Sequence, residues 1–365
     1  MRRRIGDRLE RGLARLAAAE QEIPLLADRP VREAHFRRVG SWLVEERLLA
    51  SLLCDRALGR PNTAPPRLAD VGAARLLPAL PLLPRWRARC RAQALFVKTH
   101  LRAFYVEPEP FTLKLVDPEA RDALACDVQA RQHTAKLGVP RLLANRSDGP
   151  YPYLCEELIF GRHPDPVQDA NAVVAFVLGG LWDRYRADGF EWRTCAESHD
   201  LGALVSNFEK MTDAFAWPER KALRDQLSSL GDEAAKLVPW CLGHGDLSVG
   251  NMLISGDRIV LLDWERTRRL PLFVEMAKIV VRCPEAWATV VAHIRDEFTN
   301  VAPPGMASPE TLGALASLER LAALRTRFSA ASPSAVTSRK DARRFKCHLN
   351  AELGQLTKLM ASYST

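Results

Sequence analysis

The strongest constraint on this fold is a short run that begins at His244 and reads HGDLSVGNMLISGDRIVLLDWE. Met252–Ile254 and Arg258–Leu262 have the apolar composition of strands, and the Ser-Gly-Asp between them is typical of a tight turn. The run therefore predicts an antiparallel hairpin. Such a hairpin places Asn251, before its first strand, and Asp263, after its second, at the same open end.

The residues that flank this hairpin have the chemistry of a metal site. An amide oxygen beside a carboxylate offers the hard oxygen ligands that suit Mg²⁺, which takes few protein ligands and completes its shell with water and phosphate oxygens. Asp246 precedes Asn251 on a glycine-containing loop and can reach the same end of the hairpin. Its predicted role is to accept the proton of an attacking hydroxyl group.

The rest of the chain changes character along its length. Residues 1–90 are predicted to be mostly helical, because apolar positions recur at helical spacing through Phe36–Leu53, with a proline-rich segment at 61–84. From about residue 93 the chain is rich in β-branched and aromatic residues, which predicts two or three antiparallel strands. Ala120–Leu137 is predicted to be a helix that ends at Gly138.

These patterns predict an α+β chain with two lobes and an extra helical N-terminal segment. We expect a helical N-terminal extension over residues 1–90 and a small strand-rich N-lobe over 91–158. A helical C-lobe over 159–365 is expected to contain the catalytic loop and the metal-binding hairpin.

The order His-Gly-Asp, four residues, Asn, a short hairpin and then Asp-Trp resembles the catalytic core of the aminoglycoside phosphotransferase and choline kinase-like family, relatives of the protein kinases. The resemblance covers about residues 94–290. It implies a bilobal protein kinase-like fold with ATP in the cleft. It also implies that Asp246 is the catalytic base and that Asn251 and Asp263 hold Mg²⁺.

Two upstream segments extend the resemblance. FTLKLV is similar to the family strand whose lysine, here Lys114, pairs with the ATP phosphates. YLCEELIFGR is similar to the segment that links the lobes, so the backbone of Glu156, Glu157 and Leu158 is expected to meet adenine.

Three departures from the family pattern stand out. The helix Ala120–Leu137 lacks the glutamate that pairs with the strand lysine, and Asp127 is the nearest acidic substitute, with Gln129 as the other candidate. No glycine lies between Gly72 and Gly138, so a Gly-rich phosphate loop is excluded. Glu275 stands where relatives usually have Asp.

The net charge of +8 is concentrated at the two ends of the chain, in residues 1–15 and 319–347. This distribution, without a basic motif interleaved with aromatic residues, argues against a nucleic-acid partner. Near the N-terminus, Ile5, Leu9, Leu13 and Leu16 share one helical face with arginines beside it. That helix either docks on its own protein or makes a peripheral membrane contact.

The predicted localisation is cytoplasmic, with peripheral association at the inner face of the membrane as the alternative. The eight cysteines show no metal-ligand spacing and are expected to be reduced. The oligomeric state and the role of residues 1–90 stay open.

These expectations define an ATP- and Mg²⁺-dependent phosphotransferase that acts on a hydroxyl group of a small molecule or glycan. The basic region that includes Arg320 and Arg339–Lys346 favours a sugar or membrane-linked glycan over a polycationic acceptor. Antibiotic kinases (aminoglycoside or macrolide) and choline or amino-alcohol kinases are the alternatives. A catalytically inactive nucleotide-binding scaffold is the alternative of a different class, motivated by the missing helix glutamate and the unusual phosphate loop.

Overall fold

The computed structural model describes residues 2–39, 42–57, 83–97, 101–132, 137–198, 234–283 and 287–299, with positions 203 and 206 and most positions between 301 and 320. The chain divides into two units. The first unit comprises residues 1–163 and 252–266, and the second comprises residues 164–251 and 267–365. Among the described residues, no helix is both long and apolar enough to cross a membrane.

The described residues form strands throughout the chain, and most of them belong to the first unit. In chain order the strands are β1 (Arg32–Val39), β2 (Trp42–Glu45), β3 (Arg85–Cys90), β4 (Ala94–Val97), β5 (Leu101–Tyr105), β6 (Phe111–Leu115), β7 (Leu142–Arg146), β8 (Tyr153–Glu157), β9 (Glu191–Thr194), β10 (Leu237–Gly243), β11 (Met252–Ser255), β12 (Arg258–Leu261) and β13 (Arg268–Pro271).

Helices dominate the second unit. The α-helices are α1 (Arg2–Glu22), α2 (Glu46–Ala57), α3 (Arg121–Gln132), α4 (Ala170–Phe176), α5 (Trp182–Asp188), α6 (Cys195–Ser198), α7 (Leu272–Arg282) and α8 (Trp287–Phe298), and a π-helical segment, Val177–Leu181, joins α4 to α5.

The first unit is built on an eight-stranded antiparallel sheet with the order β3-β1-β2-β4-β5-β6-β8-β7. Strand β6 contains Lys114 and pairs with β5 on one side and β8 on the other. In this position every residue of β6 is buried, including the charged one. The sheet therefore brings the predicted lysine strand next to the strand that ends in Glu156 and Glu157.

Helix α1 packs on this sheet through its C-terminal half. Leu16, Ala19 and Ile23 are buried in one cluster with sheet residues such as Phe36 and Leu113, and Leu13 packs against it. This half of the helix therefore docks on its own protein, which is one of the two interpretations of the basic helix. The side chains of residues 1–9 lie outside the described part of the chain.

In the described part of residues 1–90, helices α1 and α2 are accompanied by three strands, β1 to β3, which the helical prediction did not include. Phe36–Leu53 contains strands β1 and β2, and only its part from Glu46 onward is helical. In β1, Ala34, Phe36 and Val39 are buried. Ala34 and Phe36 have the two-residue spacing of a strand, whereas Phe36 and Val39 have the three-residue spacing of a helix, so the local pattern fits both structures. Pairing with β3, beyond the proline-rich segment, decides in favour of the strand. Residues 61–82 of that segment lie outside the described residues.

The predicted hairpin is confirmed. Strands β11 and β12 pair antiparallel, with Met252 opposite Leu261 and Ser255 opposite Arg258. Its backbone is tied to the first unit, because Ile254 exchanges both N–H···O bonds with Arg162 and the Leu261 N–H donates to Gly138. The hairpin thus belongs with the strand-rich unit, whereas we expected it in the helical C-lobe.

The second unit has an aromatic core. Trp182 and Tyr185 on α5 are fully buried, and the Trp182 ring contacts the Phe298 ring of α8 at a centroid distance of 6.0 Å. A three-stranded sheet in the order β13-β10-β9 supports the loop that follows β10. With a strand-rich first unit and a mainly helical second one, the predicted α+β class is confirmed.

Candidate active site

Lys114 is a buried cation held by carboxylates. Its side chain is 4% exposed, and its Nζ lies 3.3 Å from an Asp127 oxygen and 3.2 Å from an Asp263 oxygen. It also forms an ion pair with Glu265. A charge this deep in a protein is stable only when it is paired. The lysine that the sequence analysis selected therefore lies at the centre of a buried cluster of ion pairs.

Asp127 reaches Lys114 from helix α3, at the position where the sequence lacks the expected glutamate. The carboxylate is 1% exposed and also accepts a 2.6 Å bond from the Arg131 Nε one turn later. Arg131 in turn forms a 2.6 Å ion pair with Glu156. A continuous series of ion pairs therefore connects Lys114, through Asp127 and Arg131 of helix α3, to Glu156 near the end of strand β8.

The pKa values in this cluster follow from its pairing. Burial alone would lower the pKa of Lys114, but the negative charges of Asp127 and Asp263 raise it above its ordinary value. Burial would raise the pKa of Asp263, yet Arg102 and Lys114 hold it well below the ordinary value. Both groups are therefore charged at neutral pH.

Asp263 is anchored by a second cation that sequence reasoning missed. The Arg102 Nη2 lies 2.6 Å from the Asp263 oxygen that also meets Lys114. Asp263 adopts a left-handed backbone conformation, with φ of 69°. Asp and Asn tolerate this conformation better than most residues, so the sharp turn after β12 can aim the carboxylate at the two cations.

An open pocket lies beside this cluster within the first unit. Apolar side chains make up much of its wall, and the expected adenine segment contributes Glu156, Glu157 and Leu158. The Glu157 N–H already donates to the Arg141 carbonyl oxygen at 2.9 Å. The complete lining is Arg102, Phe104, Thr112, Pro140, Glu156, Glu157, Leu158, Ile159, His163, Leu253 and Leu262.

This lining fits an adenine nucleotide. Most ligand pockets combine apolar and aromatic walls with a few polar groups that orient the ligand. Here the apolar walls suit a flat base, while Arg102 in the lining and Lys114 opposite it in the sheet carry the positive charge that phosphates need, and the Asp263 carboxylate is of the type that holds a metal. The residues present are therefore of the right type for both parts of the ligand.

The loop after β10 contains Asp246 and is held by Glu275. Glu275, 2% exposed on α7, accepts bonds from the N–H groups of His244 at 2.7 Å and Gly245 at 3.0 Å. It also accepts the Tyr185 hydroxyl at 2.9 Å. The residue that departs from the family pattern thus fixes the backbone next to Asp246.

Side chains within the second unit also shape the surroundings of Asp246. The Asp246 N–H donates to the fully buried His244 ring at 3.3 Å, which agrees with a structural role for His244. The Asn251 amide donates to the Asp246 carbonyl oxygen at 2.9 Å. The predicted base and one predicted metal ligand are therefore positioned by the same loop.

Lys278 forms an ion pair with the Asp246 carboxylate. It lies three residues after Glu275 on α7, so both side chains emerge on one helix face toward the loop. That spacing is the only sequence signal that could have identified Lys278, and it becomes informative only once Glu275 is known to face the loop.

Comparison with known proteins gives one family match. The model of the phosphotransferase enzyme family, APH, matches residues 95–312, which is more than half of the 365 residues. No curated protein matches this sequence.

Solved structures of related folds align with most of the chain at low identity. An aminoglycoside phosphotransferase from Alicyclobacillus acidocaldarius is 15% identical with a TM-score of 0.44, covering 75% of this chain and 93% of that one. A choline/ethanolamine kinase family protein from Mesorhizobium loti is 14% identical with a TM-score of 0.47, covering 73% and 86%. A choline kinase from Streptococcus pneumoniae is 12% identical with a TM-score of 0.43, covering 71% and 91%.

Proposed function

Because this chain belongs to the phosphotransferase enzyme family, we propose that it is an ATP- and Mg²⁺-dependent kinase that phosphorylates a hydroxyl group of a non-protein acceptor. The observation that supports ATP as the donor is the buried ion-pair cluster of Lys114, Asp127 and Asp263 beside an apolar pocket. A solvent-exposed strand lysine would not need such pairing.

In this proposal each part of the site has one role. Lys114 binds the nucleotide phosphates, and the backbone of Glu156, Glu157 and Leu158 borders the adenine. Asn251 and Asp263 hold Mg²⁺. Bound Mg²⁺ and ATP supply a transferable phosphoryl group with part of its negative charge neutralised.

The residues around Asp246 prepare it as the base. Glu275 and His244 fix the backbone of its loop, so the loop needs no reorganisation during the reaction. Asp246 orients the acceptor hydroxyl and accepts its proton. Lys278 holds the carboxylate until the acceptor arrives.

For the acceptor we propose a sugar or a membrane-linked glycan. The excess of basic residues at both ends of the chain supports a neutral or anionic acceptor. The position of Lys278 beside Asp246 adds to this support, because a polycationic acceptor would meet a like charge at the base. Aminoglycosides, macrolides, choline and amino alcohols remain the alternatives.

Phosphoryl transfer from γ-labelled ATP to a panel of these acceptors tests the proposal. We expect transfer to a sugar or glycan, and a loss of about 10²- to 10⁴-fold in kcat for Asp246→Asn. Asp183→Asn, an exposed aspartate of the same unit, is the matched control and should keep full activity. Equal activity of Asp246→Asn and the parent would contradict the role of the base, and transfer to aminoglycosides alone would contradict the acceptor.

A further inference from the structure

Arg102 and Lys114 form a pair of cations on neighbouring strands. They lie directly opposite each other in the β5–β6 register, so their side chains project from the same face of the sheet. Both contact one oxygen of Asp263, at 2.6 Å from Arg102 and 3.2 Å from Lys114. One carboxylate oxygen thus has two cationic partners.

The next pair along the same face lines the pocket. Phe104 lies opposite Thr112, two residues from Arg102 and Lys114 respectively, and both Phe104 and Thr112 are pocket residues. Side chains at this spacing share a face and lie about 7 Å apart along the strand. The two strands therefore lead from an apolar wall at Phe104 to the paired cations.

The sequence of this part of the chain excludes a Gly-rich phosphate loop. A Gly-rich loop binds phosphate through successive backbone N–H groups, but no glycine occurs between Gly72 and Gly138. The described strands β5 and β6 instead offer side-chain cations to the phosphates. Lys114 already shares its charge among three carboxylates, which leaves Arg102 as the better placed donor.

We propose that Arg102 binds the nucleotide phosphates together with Lys114, in the role that a Gly-rich loop has in protein kinases, and that Asp263 is its partner when no nucleotide is bound. This inference rests on the proposed function. Arginine suits the role because its planar guanidinium can donate two parallel bonds to a phosphate. A metal ion held by Asp263 would give its carboxylate a new counter-charge, and the Arg102 guanidinium would then be able to bind the phosphates.

Calorimetric binding of adenosine, AMP, ADP and ATP, with Mg²⁺ and with EDTA, tests this inference without an acceptor. With Mg²⁺ present, Arg102→Gln should weaken the binding of ADP and ATP about 10- to 100-fold in Kd. Its binding of adenosine should be unchanged both with Mg²⁺ and with EDTA. Arg102→Lys keeps the charge but not the planar fork, so its loss should be smaller. Arg87→Gln, an exposed strand arginine paired with Glu33, is the matched control and should bind all ligands normally.

Parent-like ADP affinity of Arg102→Gln would overturn the inference, and so would an equal loss for adenosine and ADP, which would indicate a role in pocket shape only. If Arg102→Gln does not fold, Arg102→Lys decides: weaker ADP binding with unchanged adenosine supports the inference, and unchanged ADP binding overturns it. Failure of the parent protein to bind any of the nucleotides would instead overturn the proposed function.

Discussion

At the scale of single residues, Lys114 has a carboxylate partner on helix α3 although the helix lacks the glutamate expected from the family resemblance. Asp127 is one methylene shorter, but helix α3 brings its carboxylate to 3.3 Å from the lysine, and Arg131 holds it there. The missing glutamate was one of two reasons to consider an inactive scaffold. Because Asp127 provides a carboxylate partner for Lys114, the missing glutamate no longer favours the inactive scaffold.

Replacing Lys114 by Met should destabilise the protein as well as weaken nucleotide binding. Removing one partner of a buried ion pair leaves uncompensated charge, and the cost is about 3 kcal/mol in the free energy of unfolding. We expect the low end of the usual range because Asp127 keeps Arg131 and Asp263 keeps Arg102. Urea denaturation measures the change, and Lys236→Met provides a control outside the cluster; equal stability of the Lys114 variant would contradict the network.

Glu275 offers a second prediction at this scale. The N–H groups of His244 and Gly245 donate to different oxygens of Glu275. Glu275→Gln keeps one of these acceptors and replaces the other with an NH2 group, which cannot accept an N–H, so the loop of Asp246 should loosen. We expect the free energy of unfolding to fall by about 1–3 kcal/mol. We also expect kcat to fall while the KM for ATP changes little. Tyr185→Phe removes only the hydroxyl bond to Glu275 and should affect kcat little. An unaltered kcat in Glu275→Gln would show that the loop does not depend on this carboxylate.

Sequence reasoning found the residues with a local signature and missed those whose partners are distant. Lys114, Asp246, Asn251 and Asp263 lie in ordered motifs with strong local patterns. Arg102 has no such pattern, since a strand arginine is usually solvated and its partner lies 161 residues later in the chain. Its importance appears only when strands β5 and β6 are in register.

At the scale of elements, the hairpin was predictable because its turn and strand signals are local. Strands β1 to β3 were not, because β1 pairs with β3 across a proline-rich segment and such pairing leaves no local trace. The consequence is that part of the expected helical extension widens the sheet of the first unit. Among the described residues before residue 58, helices α1 and α2 have the predicted α-helical structure.

Close backbone packing at Gly161 gives a prediction for the hairpin. A Cβ at this position would overlap the Ile254 carbonyl oxygen, so the backbone bonds between residues 161–162 and strand β11 require glycine. Gly161→Ala should therefore lower the free energy of unfolding by about 1–3 kcal/mol. Gly12→Ala, in helix α1 with open space around its Cβ position, should be neutral or stabilising by up to about 1 kcal/mol. Thermal melts of the two variants compare these effects, and a neutral Gly161→Ala would contradict the packing.

At the scale of the whole molecule, the family match and the extra segments divide the chain. The match begins at residue 95, so strands β1 to β3 and helices α1 and α2 precede the family region although they pack with it. Of the basic region 319–347, residues 321–347 lie outside the described residues. Two predictions depend on the basic residues of these end segments: the glycan acceptor and a peripheral membrane contact through the N-terminal helix.

The domain boundaries near residues 90 and 158 also stay predictions. The contacts within the chain divide it after residue 163 and group residues 252–266 with the first unit. Sequence reasoning could not predict this grouping, because the hairpin follows the loop of Asp246 in the chain but forms backbone hydrogen bonds with Gly138 and Arg162.

The most direct test of the account is thermal unfolding with ATP, with and without Mg²⁺, for the parent protein and Asp263→Asn. Asn tolerates the left-handed backbone at this position, so the variant removes charge without strain. A ligand at 100 times its Kd stabilises the native state by about 2.7 kcal/mol. We predict a Mg²⁺-dependent rise in Tm for the parent and for Asp257→Asn, a control in the hairpin turn, and none for Asp263→Asn. The same rise in Asp263→Asn, or no rise in the parent, would contradict the proposed metal–nucleotide site.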